Sequence, residues 1–125
     1  MNAIYVDETD LLAAATAFLG HPPEVRDMGL LSSACARPRA GMYGTEAYPG
    51  IHQKAAALLM SLVKNHSLID GNKRLGWVGV RLFYLYNGHD LRMREDDAYD
   101  LVMSIADGTQ ADLPKVARIL SDHTN

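Results

Sequence analysis

Two helix-length apolar segments, separated by one short polar stretch, place the strongest constraint on how this chain can fold. In residues 51–65 apolar side chains recur at helical spacing, at Ile51, Ala55, Leu58, Leu59, Leu62 and Val63. Residues 75–88 are apolar almost all round and end at Asn87-Gly88, a typical helix stop. A helix that is hydrophobic on every side belongs inside a bundle. Both segments are therefore predicted to be central, buried helices.

Capping residues divide the rest of the chain into shorter helices. Asp7 and Asp27 are suited to begin helices that end at Gly20 and near Arg37. Acidic or capping residues open two more predicted helices, over residues 95–106 and 112–123. Residues 37–50, with three glycines and two prolines, are predicted to form an excursion, a hairpin or flap, and residues 89–94 a short extended piece. The predicted class is all-α, with residues 1–125 as a single domain.

The composition narrows the class of protein further. At 125 residues the chain fits one hydrophobic core, and a net charge of -3 gives no general basic surface for direct nucleic-acid binding. Cys35 is the single cysteine, so an internal disulfide is excluded, and its side chain is expected to be an ordinary buried part of the core. The sequence offers no signal-peptide pattern and no apolar run of membrane-spanning length. We therefore expect a soluble cytoplasmic protein without a membrane partner.

The polar stretch HSLIDGNKR, residues 66–74, concentrates charge where the second central helix is predicted to begin. The first N–H groups of a helix lack intrahelical partners and form a natural anion site. Lys73 and Arg74 lie at the wrong end of the helix dipole, at a cost of about 0.3–1 kcal/mol each unless an anion binds there. Gly71 lets the backbone turn tightly. Together with Asn72, these residues predict a phosphate-binding site.

Two more groups in the stretch suggest catalysis. Asp70 is a hard oxygen ligand suited to Mg²⁺, and His66 can take up a proton near neutral pH. A base, a metal ligand and an anion site match what phosphoryl or nucleotidyl transfer needs, because catalysis there depends mainly on positioning and charge stabilisation. Each group also has an ordinary alternative. Asp70 or Asn72 can simply cap the helix, and His66 can be a loop histidine bonded to a neighbour.

The same nine residues resemble the Fic/Doc signature, His-x-Phe-x-Asp/Glu-Gly-Asn-Gly/Lys-Arg, and most specifically its death-on-curing (Doc) branch of toxin–antitoxin toxins. Leu68 replaces the usual Phe and should still anchor the loop, and Ser67 replaces a common Pro. The likeness extends over nearly the whole chain, including VRDMGLLSSACARP and Tyr48-Pro49. The resemblance implies a Fic-fold helical bundle.

The resemblance also implies an activity. Lys73 stands where Fic adenylyltransferases have Gly, and Trp77 stands where they have a second Arg. The loss of that Arg argues against the adenylylation pose, and Lys73 matches the Doc branch. The resemblance to that branch implies ATP and Mg²⁺ as cofactors, with ATP bound in the opposite orientation to that in the adenylyltransferases. It also implies transfer of the γ-phosphoryl group to a protein hydroxyl. The implied target is a threonine of translation elongation factor Tu, so translation would stall.

Two other functions are compatible with the sequence. His66, Asp70 and Arg74 could also support transfer of AMP or UMP to a hydroxyl. The chain could instead be a catalytically idle interaction module whose loop binds a partner's acidic segment. The intact His66 argues against the idle module, because a binding loop needs no base.

The resemblance finally suggests how the activity is controlled and where the target docks. The inhibitory motif Ser/Thr-x-x-x-Glu-Gly/Asn of some Fic proteins does not occur in this sequence, so we expect an antitoxin to inhibit in trans. The family places a target-docking flap in the 37–50 excursion, with Tyr43, Gly44 and Thr45 as the corresponding candidates.

A few residues outside the stretch are interpreted as structural. Gly76 and Gly79 are expected to allow close helix packing. The aromatic side chains of the second central helix are expected to form the core and its rim rather than a base-stacking surface, at Trp77, Phe83, Tyr84 and Tyr86. The other histidines lack partners at ligand spacing, so no zinc site is expected.

Overall fold

A computed structural model describes residues 2–125 and is mostly helical. In chain order the elements are α1 (Glu8–Leu19), α2 (Met28–Ala36), a 3₁₀ turn (Arg37–Arg39), β1 (Gly41–Met42), β2 (Thr45–Glu46), α3 (Ile51–Asn65), α4 (Asn72–Tyr86), α5 (Glu95–Ala106) and α6 (Leu113–Asp122). The two short strands pair with each other as an antiparallel hairpin. The predicted all-α class with one small hairpin is confirmed.

Side-chain caps fix where three of the helices begin. Asp7 accepts the N–H of Asp10 at 2.9 Å, and Asp10 accepts the N–H of Asp7 in return at 3.0 Å, which completes a capping box for α1. Asp27 and Asp112 cap α2 and α6 in the same way, through the N–H groups three residues on. Gly20 ends α1 with a φ of 80°. The predicted helix starts are confirmed.

Helix α3 is the central helix of the bundle. Its side chains are buried without a break from Lys54 to Val63, and it contacts α2, α4, α5 and α6. It lies closest to α4 at two glycines of that helix. A Cβ on Gly76 would stand 2.6 Å from Val63 Cγ2, and one on Gly79 would stand 2.8 Å from Leu62 Cδ1. The packing role predicted for these glycines is confirmed.

Helix α4 differs from its prediction. It was expected to be buried on all sides, but Leu85 and Tyr86 are 57% and 37% exposed and Arg81 also faces solvent. The reason is that α1, α3 and α5 pack on part of its circumference and leave an outer face uncovered. Helix α3 alone occupies the centre, and α4 is a half-buried neighbour that presents its outer face to solvent.

The predicted excursion contains a tight hairpin. Its two turn residues, Tyr43 and Gly44, have φ angles of 53° and 78°, the left-handed values that a two-residue turn of this kind requires. Lys54 secures the base of the hairpin, because its buried Nζ donates to Glu46 Oε1 at 2.9 Å and to the Tyr48 carbonyl at 2.6 Å. The tip is open, with Tyr43 98% exposed.

The sequence also predicted a buried Cys35 and a short extended piece over residues 89–94. Cys35 is buried, and burial raises the pKa of its thiol to about 12, with further contributions from the side chain of Glu8, as befits an unreactive core residue. Leu91 forms an isolated bridge with Thr124, which confirms a short extended piece. Within residues 2–125, none of the helices is long and apolar enough to span a membrane.

Candidate active site

The loop of residues 66–71 joins the two longest helices, α3 and α4, and a second segment of chain holds it in place. In residues 24–27, Val25 forms an isolated bridge with Leu68, and the N–H of Arg26 donates to the Ser67 carbonyl at 2.8 Å. The Leu68 side chain is 1% exposed and anchors the loop in the core, as predicted. The loop is therefore tied down at its middle, and its polar ends are left to face outward.

His66 lies at the start of the loop in an uncommon conformation. Its backbone has φ 53° and ψ 48°, in the left-handed region that residues other than glycine rarely adopt. Its side chain is exposed, and the ring has no hydrogen-bond partner within residues 2–125. The interpretation of His66 as a loop histidine bonded to a neighbour therefore does not apply, and the ring is available to a substrate.

Gly71 sets the start of α4 and leaves that start open. It has φ 91°, and a Cβ there would stand 3.2 Å from Phe18 Cε1. Among the described residues, no side chain caps α4, so the N–H groups of its first turn lack a side-chain partner. Because α4 lacks a side-chain cap and is preceded by a glycine, a phosphate oxygen could approach the backbone closely at this point.

Asn72 has a different role from a phosphate ligand or a helix cap. Its side chain is buried, and its Oδ1 accepts the N–H of Leu68 at 2.9 Å while its Nδ2 donates to the Leu68 carbonyl at 2.8 Å. The amide thus closes the loop from inside. What Asn72 can still offer an anion is its backbone N–H, the first of α4.

Asp70 is exposed and does not cap α4. Within residues 2–125, no group of three or more His, Cys, Asp or Glu side chains is placed to hold a metal ion. A lone carboxylate beside an anion site fits Mg²⁺, because that ion keeps several waters and takes other oxygens from phosphates rather than from a protein cage. Asp70 would then be the protein's direct ligand to it.

Lys73 and Arg74 open onto a groove between α4 and α5. The Cζ of Arg74 lies 5.1 Å from the centroid of the Phe18 ring, a cation–π contact that orients the guanidinium. The groove has a volume of about 490 Å³, with both cations at one end. Its remaining lining is Trp77, Arg81, Met93, Glu95, Ala98, Tyr99, Val102 and Met103. The groove is therefore lined by apolar, aromatic and mainly basic side chains, next to the start of α4.

Comparison with known proteins identifies the family. Residues 5–84 match the family model described as the Fic/DOC family. The chain belongs to the Fic/DOC family. It is also 44% identical over 119 residues to a protein named Toxin Doc from Mycolicibacterium smegmatis, an alignment that covers 94% of this chain and 91% of that relative. The resemblance drawn from HSLIDGNKR is confirmed.

The candidate flap of this Fic/DOC chain is secured at the opposite end of α3 from the signature loop. Lys54, which secures the hairpin, lies near the start of α3, whereas His66 follows its end, about 18 Å away at the rise of an α-helix. Among residues 2–125, no hydrogen bond joins Tyr43, Gly44 or Thr45 to residues 66–74. The docking role of these three residues stays a prediction.

Two contributors to the Fic/DOC loop were not foreseen from the sequence. Arg26 donates from Nε to the His66 carbonyl at 2.7 Å, and Phe18 lies against both Gly71 and Arg74. Both residues belong to the first quarter of the chain. A single sequence carries no signal that would connect them with a loop forty or more residues later, because the contacts arise only from tertiary packing.

Proposed function

We propose that this chain is a Doc-type toxin of a toxin–antitoxin system, a kinase that transfers the γ-phosphoryl group of ATP to a hydroxyl of a protein target. One observation carries the proposal. A single loop presents the unbonded ring of His66, the exposed carboxylate of Asp70 and the uncapped start of α4 with its two cations. The 44% identical relative named Toxin Doc supports the toxin part of the proposal.

In this mechanism the residues of the loop have separate roles. The ring of His66 accepts the proton of the attacking hydroxyl, whose oxygen forms a bond to the γ-phosphorus as the bond to the β-phosphate oxygen breaks and ADP leaves. Lys73, Arg74 and the first N–H groups of α4 stabilise the negative charge on the phosphates. Asp70 would hold Mg²⁺, which would supply further neutralisation of the phosphate charge.

The groove between α4 and α5 supports a nucleotide as the donor. It begins at Lys73 and Arg74, so a phosphate chain bound there can continue into it. The sequence predicted Trp77 as core or rim rather than a base-stacking surface, but its side chain is partly exposed in the groove wall and offers a surface for a purine ring. Trp77 also occupies the position of the second arginine of the adenylyltransferases, which favours phosphoryl over AMP transfer.

The proposed target is a threonine of elongation factor Tu, and the proposed regulator is an antitoxin that acts in trans. The relative's name, Toxin Doc, and the absence of an intramolecular inhibitory motif in the sequence support the antitoxin. The target is what the resemblance to the Doc branch implies. An antitoxin segment that folds on binding could cover the loop, since His66 and Asp70 are exposed.

An in vitro translation assay with ATP tests the proposal. The wild-type protein should inhibit translation, His66→Ala should not, and His21→Ala should behave as wild type because His21 is an exposed histidine outside the loop. Mass spectrometry of elongation factor Tu should find one added phosphoryl group. An added AMP would support the nucleotidyl-transfer alternative, and inhibition that survives His66→Ala would support an idle binding module.

A further inference from the structure

We propose that Arg26 is a positioning residue for His66, which it holds in the conformation that presents the imidazole to a substrate. The inference rests on the proposed function, because it concerns the residue assigned there as the base. Arg26 lies between α1 and α2, forty residues before His66, and nothing in its sequence context assigns it to the site.

The first support is how the Arg26 side chain is bonded. Its Nε donates to the His66 carbonyl at 2.7 Å, and one Nη donates to the Asn65 carbonyl at 3.2 Å. Both carbonyls belong to the C-terminal end of α3, where the last carbonyls of a helix have no intrahelical partner. A guanidinium is well suited to this place, because its donors form a rigid fork and its charge complements the negative end of the helix dipole.

The second support is the conformation of His66 itself. A left-handed backbone at a residue with a side chain is strained, and it persists only where the surroundings determine it. The next carbonyl, that of Ser67, accepts the N–H groups of Arg26 at 2.8 Å and Asp27 at 3.1 Å. Consecutive carbonyls on either side of the strained turn are therefore fixed by one short segment, with Arg26 in contact with both.

The third support is that these contacts are local. The Arg26 side chain is exposed, and both of its side-chain hydrogen bonds within residues 2–125 are to the backbone around His66. The core underneath is formed by other side chains, among them Leu68 and Leu31. Removing the guanidinium should therefore release His66 without unfolding the bundle, whereas the anion site on α4, built around Gly71 and Lys73, should keep its geometry.

The experiment compares Arg26→Ala, Arg26→Lys and a matched control, Arg118→Ala, which removes an exposed arginine of α6. For each variant the kcat and the KM for ATP of phosphoryl transfer are measured, together with the NMR order parameter of the His66 backbone amide. In Arg26→Ala we expect kcat to fall by about 10²-fold, the cost of a base displaced by an ångström or so, with the KM for ATP unchanged. The His66 order parameter should drop from about 0.85 to below about 0.6.

Arg26→Lys should recover part of both losses, since an ammonium can donate to these carbonyls but lacks the planar fork, and Arg118→Ala should match the wild type. An Arg26→Ala protein with wild-type kcat and an ordered His66 would overturn the inference. So would a uniform loss of order across α2 and α3, which would make Arg26 a general structural residue. If the wild type transfers no phosphoryl group, the proposed function fails, and the order parameters alone decide whether Arg26 holds His66.

Discussion

The side chain of Asn72 and the backbone of Leu68 are joined by two hydrogen bonds, of 2.9 and 2.8 Å, so that one amide satisfies both the N–H and the C=O of a buried residue. This pair closes the signature loop over the four residues that separate Leu68 from Asn72, the first residue of α4. It also explains why the loop needs an amide at position 72. A carboxylate could accept the N–H but could not donate to the carbonyl.

The Asn72–Leu68 pair leads to the first prediction. Asn72→Ala leaves the N–H and the carbonyl of Leu68 without their partner in a buried setting, so we expect the free energy of unfolding to fall by about 1–3 kcal/mol. Urea denaturation measures the change, with Asn2→Ala as a control at an exposed asparagine. Equal stability of the wild type and Asn72→Ala would show that the pair does not hold the loop.

The close approach of α3 and α4 at Gly76 gives the second prediction. Gly76→Ala should lower the free energy of unfolding by about 1–3 kcal/mol, because the new methyl group meets Val63 Cγ2, even though alanine favours helix by about 1 kcal/mol over glycine. The same substitution in a Val63→Ala background should cost less, since the clashing methyl is gone. Strictly additive effects in this double-mutant cycle would contradict the packing argument.

The third prediction concerns pH. Burial lowers the pKa of His52 below its ordinary value of 6.5, and the neighbouring His89 lowers it further, while the Tyr84 hydroxyl lies 2.9 Å from His52 Nδ1. Because the unfolded chain takes up the proton at a higher pH than the folded one, the contribution of His52 to stability is present above pH 6.5 and is lost as the pH falls toward the lowered pKa.

Urea denaturation at a series of pH values checks this dependence. His52→Gln should show a smaller loss of unfolding free energy between neutral pH and the acid side of 6.5 than the wild type does. His21→Gln, which changes an exposed histidine in a loop, is the matched control for the substitution itself. Identical pH profiles for the wild type and His52→Gln would show that His52 does not titrate differently in the folded chain.

The fourth prediction uses Trp77, the single tryptophan of the chain, as a reporter of the groove. If the nucleoside of ATP lies between α4 and α5, ATP should quench the tryptophan fluorescence, while inorganic triphosphate should compete with ATP without quenching. Lys73→Ala should weaken both ligands by about tenfold or more, through loss of a charge-assisted contact, whereas Lys115→Ala on α6 should not. Calorimetric binding of ATP without any quenching would place the nucleoside elsewhere.

Much of the helical framework and of the signature loop was predictable because both depend on neighbours in sequence. The caps at Asp7, Asp27 and Asp112 act on N–H groups three residues away, and the charges of the loop lie within nine residues. A short-range pattern of this kind is visible in the sequence itself. The hairpin was predicted only as part of the 37–50 excursion, and the structure places its turn at Tyr43-Gly44.

The features that escaped prediction depend on tertiary packing. Leu85 is exposed because the helices that pack on α4 do not cover its outer face. Arg26 contacts His66 because two segments that are distant in sequence meet in the fold. The burial of the Asn72 side chain is a related case, because an asparagine at the start of a helix has several roles that its sequence position does not distinguish. Each required the three-dimensional arrangement.

The most direct measurement uses ATP labelled at either the α- or the γ-phosphate and follows the transfer of label to elongation factor Tu. His66→Ala is the control. We expect label on the acceptor from the γ position alone, and none with His66→Ala. Label from the α position would rule out the proposed kinase activity, because the chain would then transfer AMP and the roles given to Lys73 and Trp77 would be wrong.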